Sequence, residues 1–321
     1  MAQLCLHVLF LTLTNFVISG VYSSATFTML NKCEFTVWPG ILSNAGTAPL
    51  STTGFALQKG ESRIIDAPSS WGGRFWGRTH CTEDSTGKFS CLTADCGSGK
   101  IECAGNGAAP PATLAEFTLD GDAGLDFYDV SHFDGYNVPM LVVPHGGSGA
   151  NCTTTGCVSD LNGACPSDLR VTSSDGEDVA CKSACLAFGK EQYCCSGAYS
   201  TPDACKPSLY SQVFKSVCPH AYSYAYDDKT STFTCAGADY IITFCPSPNT
   251  SGFSQKSSSG LQNERSEDNN SSLINNTIVY EGASQVSGAP STNTHLFSSH
   301  AISGSGAIAI AVATWRLCQF F

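Results

Sequence analysis

The chain has 321 residues, 42% of them hydrophobic, and a formal net charge of −11 from 16 Lys and Arg against 27 Asp and Glu. That length suits one large β domain or two smaller domains. The acidic balance, a net of −10 over residues 26–248, argues against nucleic acid and anionic lipid as partners and leaves a neutral polymer open.

The opening stretch "MAQLCLHVLFLTLTNFVISGVYSSA" reads as a secretory signal peptide over residues 1–25. An apolar run is followed by small residues, with Ser23 and Ala25 at the −3 and −1 positions of a cleavage site. A membrane anchor is disfavoured because Thr12, Thr14, Asn15 and Ser19 interrupt the run. From Thr26 to about Leu141 the texture is β. "TFTMLNKCEFTVWPG" alternates apolar and polar residues, and Gly or Pro recurs at strand spacing, as in a sandwich or barrel. Residues 151–205 are dense in Cys and turn signals. The spacing there predicts one helix within "DGEDVACKSACLAFGK", with Asp178 near its start and Gly189 closing it. Such a helix would set Cys181 and Cys185 one turn apart on one face. Strand texture returns in "STFTCAGADYIITFC".

Of the 18 Cys, Cys5 and Cys318 lie in the terminal segments, and the other 16 fall between Cys33 and Cys245. An even set of that density reads as a disulfide framework made in an oxidising compartment. Zinc is the weaker reading, since there is no CxxC pair and His is scarce. Residues 249–300 are Ser- and Asn-rich and read as a disordered linker with N-glycosylation sequons at Asn249, Asn269, Asn270 and Asn275. Asn151 is a fifth sequon, crowded by Cys152. The apolar tail, 301–321, follows small residues at Ser287, Gly288 and Ala289 and a polar spacer, the pattern of a GPI-attachment signal.

The stretch Glu116 to Asp134 holds six carboxylates and no Lys or Arg. Asp120 and Asp122 begin like a calcium loop, but Gly124, Leu125 and Ser131 occupy positions that such a loop gives to a ligand, a turn glycine and a bidentate Glu. Neither a metal nor another cofactor is expected. "LDGDAG" has turn composition, which makes Asp120, Asp122 and Asp126 a solvated face. In "EFTL", Phe117 and Leu119 point to a core and Glu116 away from it. In "LDFYDV", alternation sets Asp129 on the side of Leu125 and Phe127, where a carboxylate needs a partner. Trp76 and Phe127 read as core residues, whereas Tyr128 and Tyr136 read as aromatic faces on which sugar rings stack.

"GKFSCLTADCGSGKIEC", with "FTVWPG", "RFWGRTHC", "TLAEFTL", "LDFYDVSHFDGYNVPM", "EQYCCSG" and "STFTC", resembles the thaumatin-like plant defence family from about Ala25 to Pro246. The resemblance implies a mainly β fold: a flattened sandwich, a disulfide-rich lobe with one helix, and a small bridged hairpin. It also implies the pairs Cys33–Cys245, Cys81–Cys91, Cys96–Cys103, Cys152–Cys235, Cys157–Cys218, Cys165–Cys181, Cys185–Cys194 and Cys195–Cys205. The family's acidic cleft maps onto Arg74, Glu116, Asp129, Asp134 and Asp227. Arg74 and Arg78 share a strand face, so alternation alone does not choose between them, and Asp228 is a close neighbour of Asp227. His220 stands where the family commonly has Asp. The function this implies is a secreted, monomeric protein at the plant cell surface that engages β-1,3-glucan; the apolar tail, which is extra to the compact family members, adds an anchor to the plasma membrane. Three readings follow: a weak endo-β-1,3-glucanase with Glu116 as acid and Asp129 as carboxylate, a non-catalytic glucan-binding or antifungal protein, and an anchored surface module.

Overall fold

The computed structural model describes residues 23–247. Residues 1–22 of the expected signal peptide, all four linker sequons and the apolar tail lie outside the described residues, whereas its last three residues, Ser23–Ala25, begin the first strand. Two sheets stack face to face. The first has five strands in the order β3-β1-β13-β8-β9: β1 (Ser23–Asn31), β3 (Ser62–Pro68), β8 (Met140–His145), β9 (Thr155–Gly156) and β13 (Asp239–Phe244). The second runs β12-β7-β6-β4-β2: β2 (Trp38–Ser43), β4 (Gly72–Glu83), β6 (Leu114–Thr118), β7 (Asp126–Ser131) and β12 (Phe233–Cys235). At its far end β4 also pairs with β5 (Phe89–Thr93), where Cys81 and Cys91 face each other and are bonded, giving the small bridged hairpin.

Alternation along each strand supplies the core. Phe75 on β4, Phe117 on β6 and Tyr128 on β7 point inward to meet Phe27 on β1 and Tyr240 on β13. Ring centroids stand 4.7 Å apart for Phe27 and Phe117 and 5.1 Å for Tyr128 and Tyr240. Aromatic pairs at such separations add to the stabilisation that burial itself provides. A second, smaller apolar cluster lies around Trp76, Ala94, Cys103 and Leu114, and it includes the expected core residue Trp76. Gly40 makes room for it, since a Cβ there would stand 2.3 Å from the Trp76 ring.

The lobe is held by all the implied pairs that fall within it, and each of the eight expected disulfides is present. Its helical content differs from the single helix expected. Residues Asp178–Cys181 form strand β11, paired with β10 (Arg170–Thr172). Helix α1 covers only Ala184–Phe188, capped by the Ser183 side chain and closed by Gly189 in the left-handed conformation (φ 61°). Cys181 and Cys185 therefore share no helix face and bond to different partners. Three further α-helices, α2 (Glu191–Cys194), α3 (Leu209–Val217) and α4 (Asp228–Ser231), complete the α-helices among the described residues.

Candidate active site in an acidic groove

The outward face of the six-stranded sheet carries the site. Register places Arg74 on β4 opposite Glu116 on β6, and Glu116 opposite Asp129 on β7, so three of the expected site residues form one row across three strands. Directly opposed residues in antiparallel strands bring their Cβ atoms to roughly 4.5–5.5 Å. The row follows from alternation, because the flanking residues Phe75, Ala115, Phe117, Tyr128 and Val130 are all buried on the other face. Together with Asn44, Thr118 and Phe127, the row lines an open groove of about 260 Å³.

Electrostatics distinguishes the carboxylates. Glu116 Oε1 lies 3.6 Å from Arg74 Nε. Burial pushes the Glu116 carboxyl above its ordinary range, Arg74 pulls it back, and Asp134 adds to the rise. Asp129 is raised well above the usual carboxylate range, first by burial and then by the charges of Glu116 and Asp228, with Arg74 opposing. Its Oδ1 is shielded from solvent and has no hydrogen-bond partner, a costly state for an ionised group and a tolerable one for a neutral acid. Asp134 is raised mainly by burial, and Arg74 lowers it. The turn presenting Asp134 depends on Gly135 at φ 93°, where a Cβ would press within 2.7 Å of both Pro111 and the Cys181 carbonyl.

The structure thus brings Arg74, Glu116, Asp129 and Asp134 together. Asp227 is placed differently: its carboxylate takes Lys215 Nζ at 2.9 Å and is further bonded by Ser223 and Thr230. Both tyrosines expected to stack on sugar are interior. Tyr128 is 1% exposed with its hydroxyl donating to the Thr153 carbonyl, and Tyr136 is fully buried with its hydroxyl near the Ser159 carbonyl and Asp160. Alternation explains Tyr128, because Asp129 faces outward and its neighbour must face the core. The same rule turns Phe127, expected as core, toward the groove. It also buries Asp126, expected in solvent, where Tyr240 Oη donates to Oδ2 at 2.8 Å and the Asp120 N–H to Oδ1 at 3.0 Å.

Arg78, the alternative to Arg74, is completely buried. Its guanidinium donates to the carbonyls of Trp38, Pro39 and Ile101 and lies over the Phe89 ring. The chain around Ile101 covers the sheet face there and leaves Arg74 alone at the groove. His220 stacks on Phe233 at 5.8 Å. A second cavity in the lobe, walled by Tyr193, Tyr210 and Phe214, holds about 20 Å³, roughly one water, and no carboxylate lines it.

Comparison with known proteins agrees with this architecture. The Thaumatin family model matches residues 31–246. Thaumatin-like protein 1 of Arabidopsis thaliana is 62% identical over 229 residues, covering 70% of this chain and 86% of that protein. A Prunus avium protein named glucan endo-1,3-beta-glucosidase is 52% identical over 240 residues, covering 74% and 97%. An Arabidopsis thaliana PR5-like receptor kinase is 54% identical over 245 residues, 75% of this chain but only 37% of that longer protein. With its sandwich, its eight bridges and a family match over residues 31–246, the chain belongs to the thaumatin family.

Proposed function

We propose that this protein is a secreted defence protein that binds β-1,3-glucan in the acidic groove and hydrolyses it slowly. The observation that carries the reading is the pairing of unlike carboxyl groups in one row: Asp129, buried without a cation of its own, beside Glu116, which faces Arg74. Glycosidic cleavage needs one carboxylic acid and one carboxylate. The geometry favours the reverse of the division expected from sequence. Asp129 donates its proton to the departing glycosidic oxygen as the C–O bond breaks, and Glu116, held ionised by Arg74, attacks the anomeric carbon or activates water. Phe127 offers the groove an aromatic face, and Asn44 and Thr118 offer hydrogen bonds to sugar hydroxyls. The name of the cherry relative supports the substrate class.

Asp129→Asn and Glu116→Gln should each lower reducing-sugar release from linear β-1,3-glucan by about a hundredfold or more, while retention on insoluble glucan persists. Parent-like hydrolysis by both variants would sink the catalytic reading. If the parent releases no sugar and the variants lose retention, the groove is a binding site alone. Surface attachment through the tail is part of the same proposal, and phosphatidylinositol phospholipase C should free the protein from plant membranes. A freed product still carrying Trp315 would refute the GPI route.

A further inference from the structure

One N-glycosylation motif, Asn151-Cys152-Thr153, lies inside the folded domain, and the acidic groove makes no use of it. Asn151 sits in a turn where the Cys152 N–H donates to the Gly149 carbonyl at 3.3 Å. That turn runs along β12, the outermost strand of its sheet. Ser148 and Ala236 exchange backbone hydrogen bonds, and Asn151 Nδ2 donates to the Thr232 carbonyl at 3.1 Å. Asn151 is nonetheless exposed. A side-chain amide carries two hydrogens, and the bond to Thr232 takes one of them, so the other can be replaced by a sugar. The neighbouring Cys152 argues against modification, because a bridge beside the acceptor fixes it in place. Chain order removes that obstacle. Cys152 bonds Cys235, 83 residues further on. No partner lies ahead of it: Cys81 bonds Cys91, Cys96 bonds Cys103, and Cys33 waits for Cys245. A chain entering an oxidising compartment N-terminus first therefore presents Asn151 roughly 4–17 s before Cys235 is made, at about 5–20 residues per second. Once folded, the motif is locked. The buried Tyr128 hydroxyl accepts from the Thr153 N–H at 3.0 Å and donates to its carbonyl at 2.7 Å, and Cys152 is covalently held.

We propose that Asn151 carries an N-linked glycan, attached before the Cys152–Cys235 bridge closes, and that the finished domain displays it at the β12 edge. In the transfer, Asn151 Nδ2 bonds the anomeric carbon of an oligosaccharide carried on a polyprenyl diphosphate. The carbon–oxygen bond to the diphosphate breaks with its electron pair on the phosphate oxygen, and Nδ2 gives one proton to a base of the transferase. The remaining N–H keeps the Thr232 bond, which holds the root of the glycan against the sheet. A bulky, solubilising group there also covers backbone that an edge strand presents to other chains. The site rests on the secretion reading of this chain and is independent of the glucan reading of its groove.

The test expresses the full chain in leaf cells, treats it with peptide N-glycosidase A in ¹⁸O water and maps its peptides by mass spectrometry. The peptide holding Asn151 should carry the heavy-oxygen mark in most molecules. Thr153→Val breaks the motif yet keeps the backbone bonds to Tyr128, and it should abolish the mark at Asn151 alone. A parent recovered outside the cell with Asn151 unmarked overturns the site. A parent found only in the cytosol defeats the secretion reading, and the site falls with it. Timing is tested separately with the full chain made in bacteria and offered to a microsomal transferase with its lipid-linked donor. The reduced, unfolded chain should be modified at Asn151, and the refolded chain with its bridges closed should not. Equal modification of both forms overturns the order proposed.

Discussion

His132 is a buried ionisable side chain near the site. Neither ring nitrogen has a hydrogen-bond partner, and the ring packs edge-on to Tyr136 at 5.3 Å and against Phe214. Burial, with Lys215 adding to it, pushes the imidazole down to about 3 from its ordinary 6.5. The folded state therefore refuses a proton that the unfolded chain accepts, and stability falls as pH drops from about 6.5 to about 3. The loss is on the order of 5 kcal/mol at about 1.4 kcal/mol per unit. Glu116, Asp129 and Asp134 work with the opposite sign. Their raised folded values give stability that is present at acid pH and lost as pH rises from the ordinary carboxylate range through the folded values. Denaturant unfolding of the parent and of His132→Phe at pH 7 and pH 4 separates the two. The variant should lose its acid-side penalty while the carboxylate contribution remains. Equal pH slopes in both proteins would contradict the account. None of this was legible in the sequence, where His132 lies inside the "VSHFDG" motif with nothing to mark it as unpartnered. Asp126 misled for a related reason: turn composition on its N-terminal side hid the fact that β7 already begins there.

At the scale of elements, alternation was the most reliable guide and also the source of the errors. It placed Glu116 outward and Phe117 inward correctly, and it put Asp129 and Phe127 on one side. Which side faced the core could not be read from "LDFYDV", because the stretch has an aromatic residue at either parity. Pairing decides it, through Phe117 against Tyr128 and Glu116 against Asp129. The predicted helix from Asp178 failed because β10 captures Asp178–Cys181 as a strand partner, so tertiary pairing outweighs local propensity. Helix α3 had its own signal in the Ser208 cap, whose Oγ accepts from the Ser211 N–H at 3.1 Å, but the Cys-dense texture around it obscured the pattern. Arg78 ties β4 to the segment covering it, and burial lowers its guanidinium to about 10. Arg78→Met removes three carbonyl partners in a buried site, so it should destabilise the fold by about 3 kcal/mol or more. Amide exchange near Ile101 should accelerate first. A variant as stable as the parent, with unchanged exchange there, would contradict this role.

At the scale of the molecule, cross-links carry much of the stability. The Cys33–Cys245 bridge spans 212 residues, and a loop of that length contributes roughly 5 kcal/mol in the chain-entropy model. Reduction should therefore collapse the melting transition of the folded domain, whereas a chelator should leave it unchanged. A large drop in melting temperature with EDTA and no appearance of free thiols would reverse that view. The connectivity was available only through family resemblance, since 16 Cys pair in far too many ways for spacing to choose among them. Strand texture, by contrast, pointed to a sandwich or barrel, and the resemblance chose the sandwich. The groove was not readable from strand texture, because it exists only where three non-consecutive stretches lie side by side.

The same bridge has a mechanical meaning. Strands β1 and β13 run parallel, so Cys245 lies at the end of the pair where Asn31 meets Phe244, away from the start of β1. Tension applied to the chain beyond residue 247 reaches the domain at Cys245 and crosses covalently to Cys33. β13 therefore cannot be peeled from β1 one hydrogen bond at a time, because the load falls on the whole five-pair register in shear. A domain pulled from this end while its groove grips a polymer would hold its shape until a covalent bond or the entire strand pair gave way.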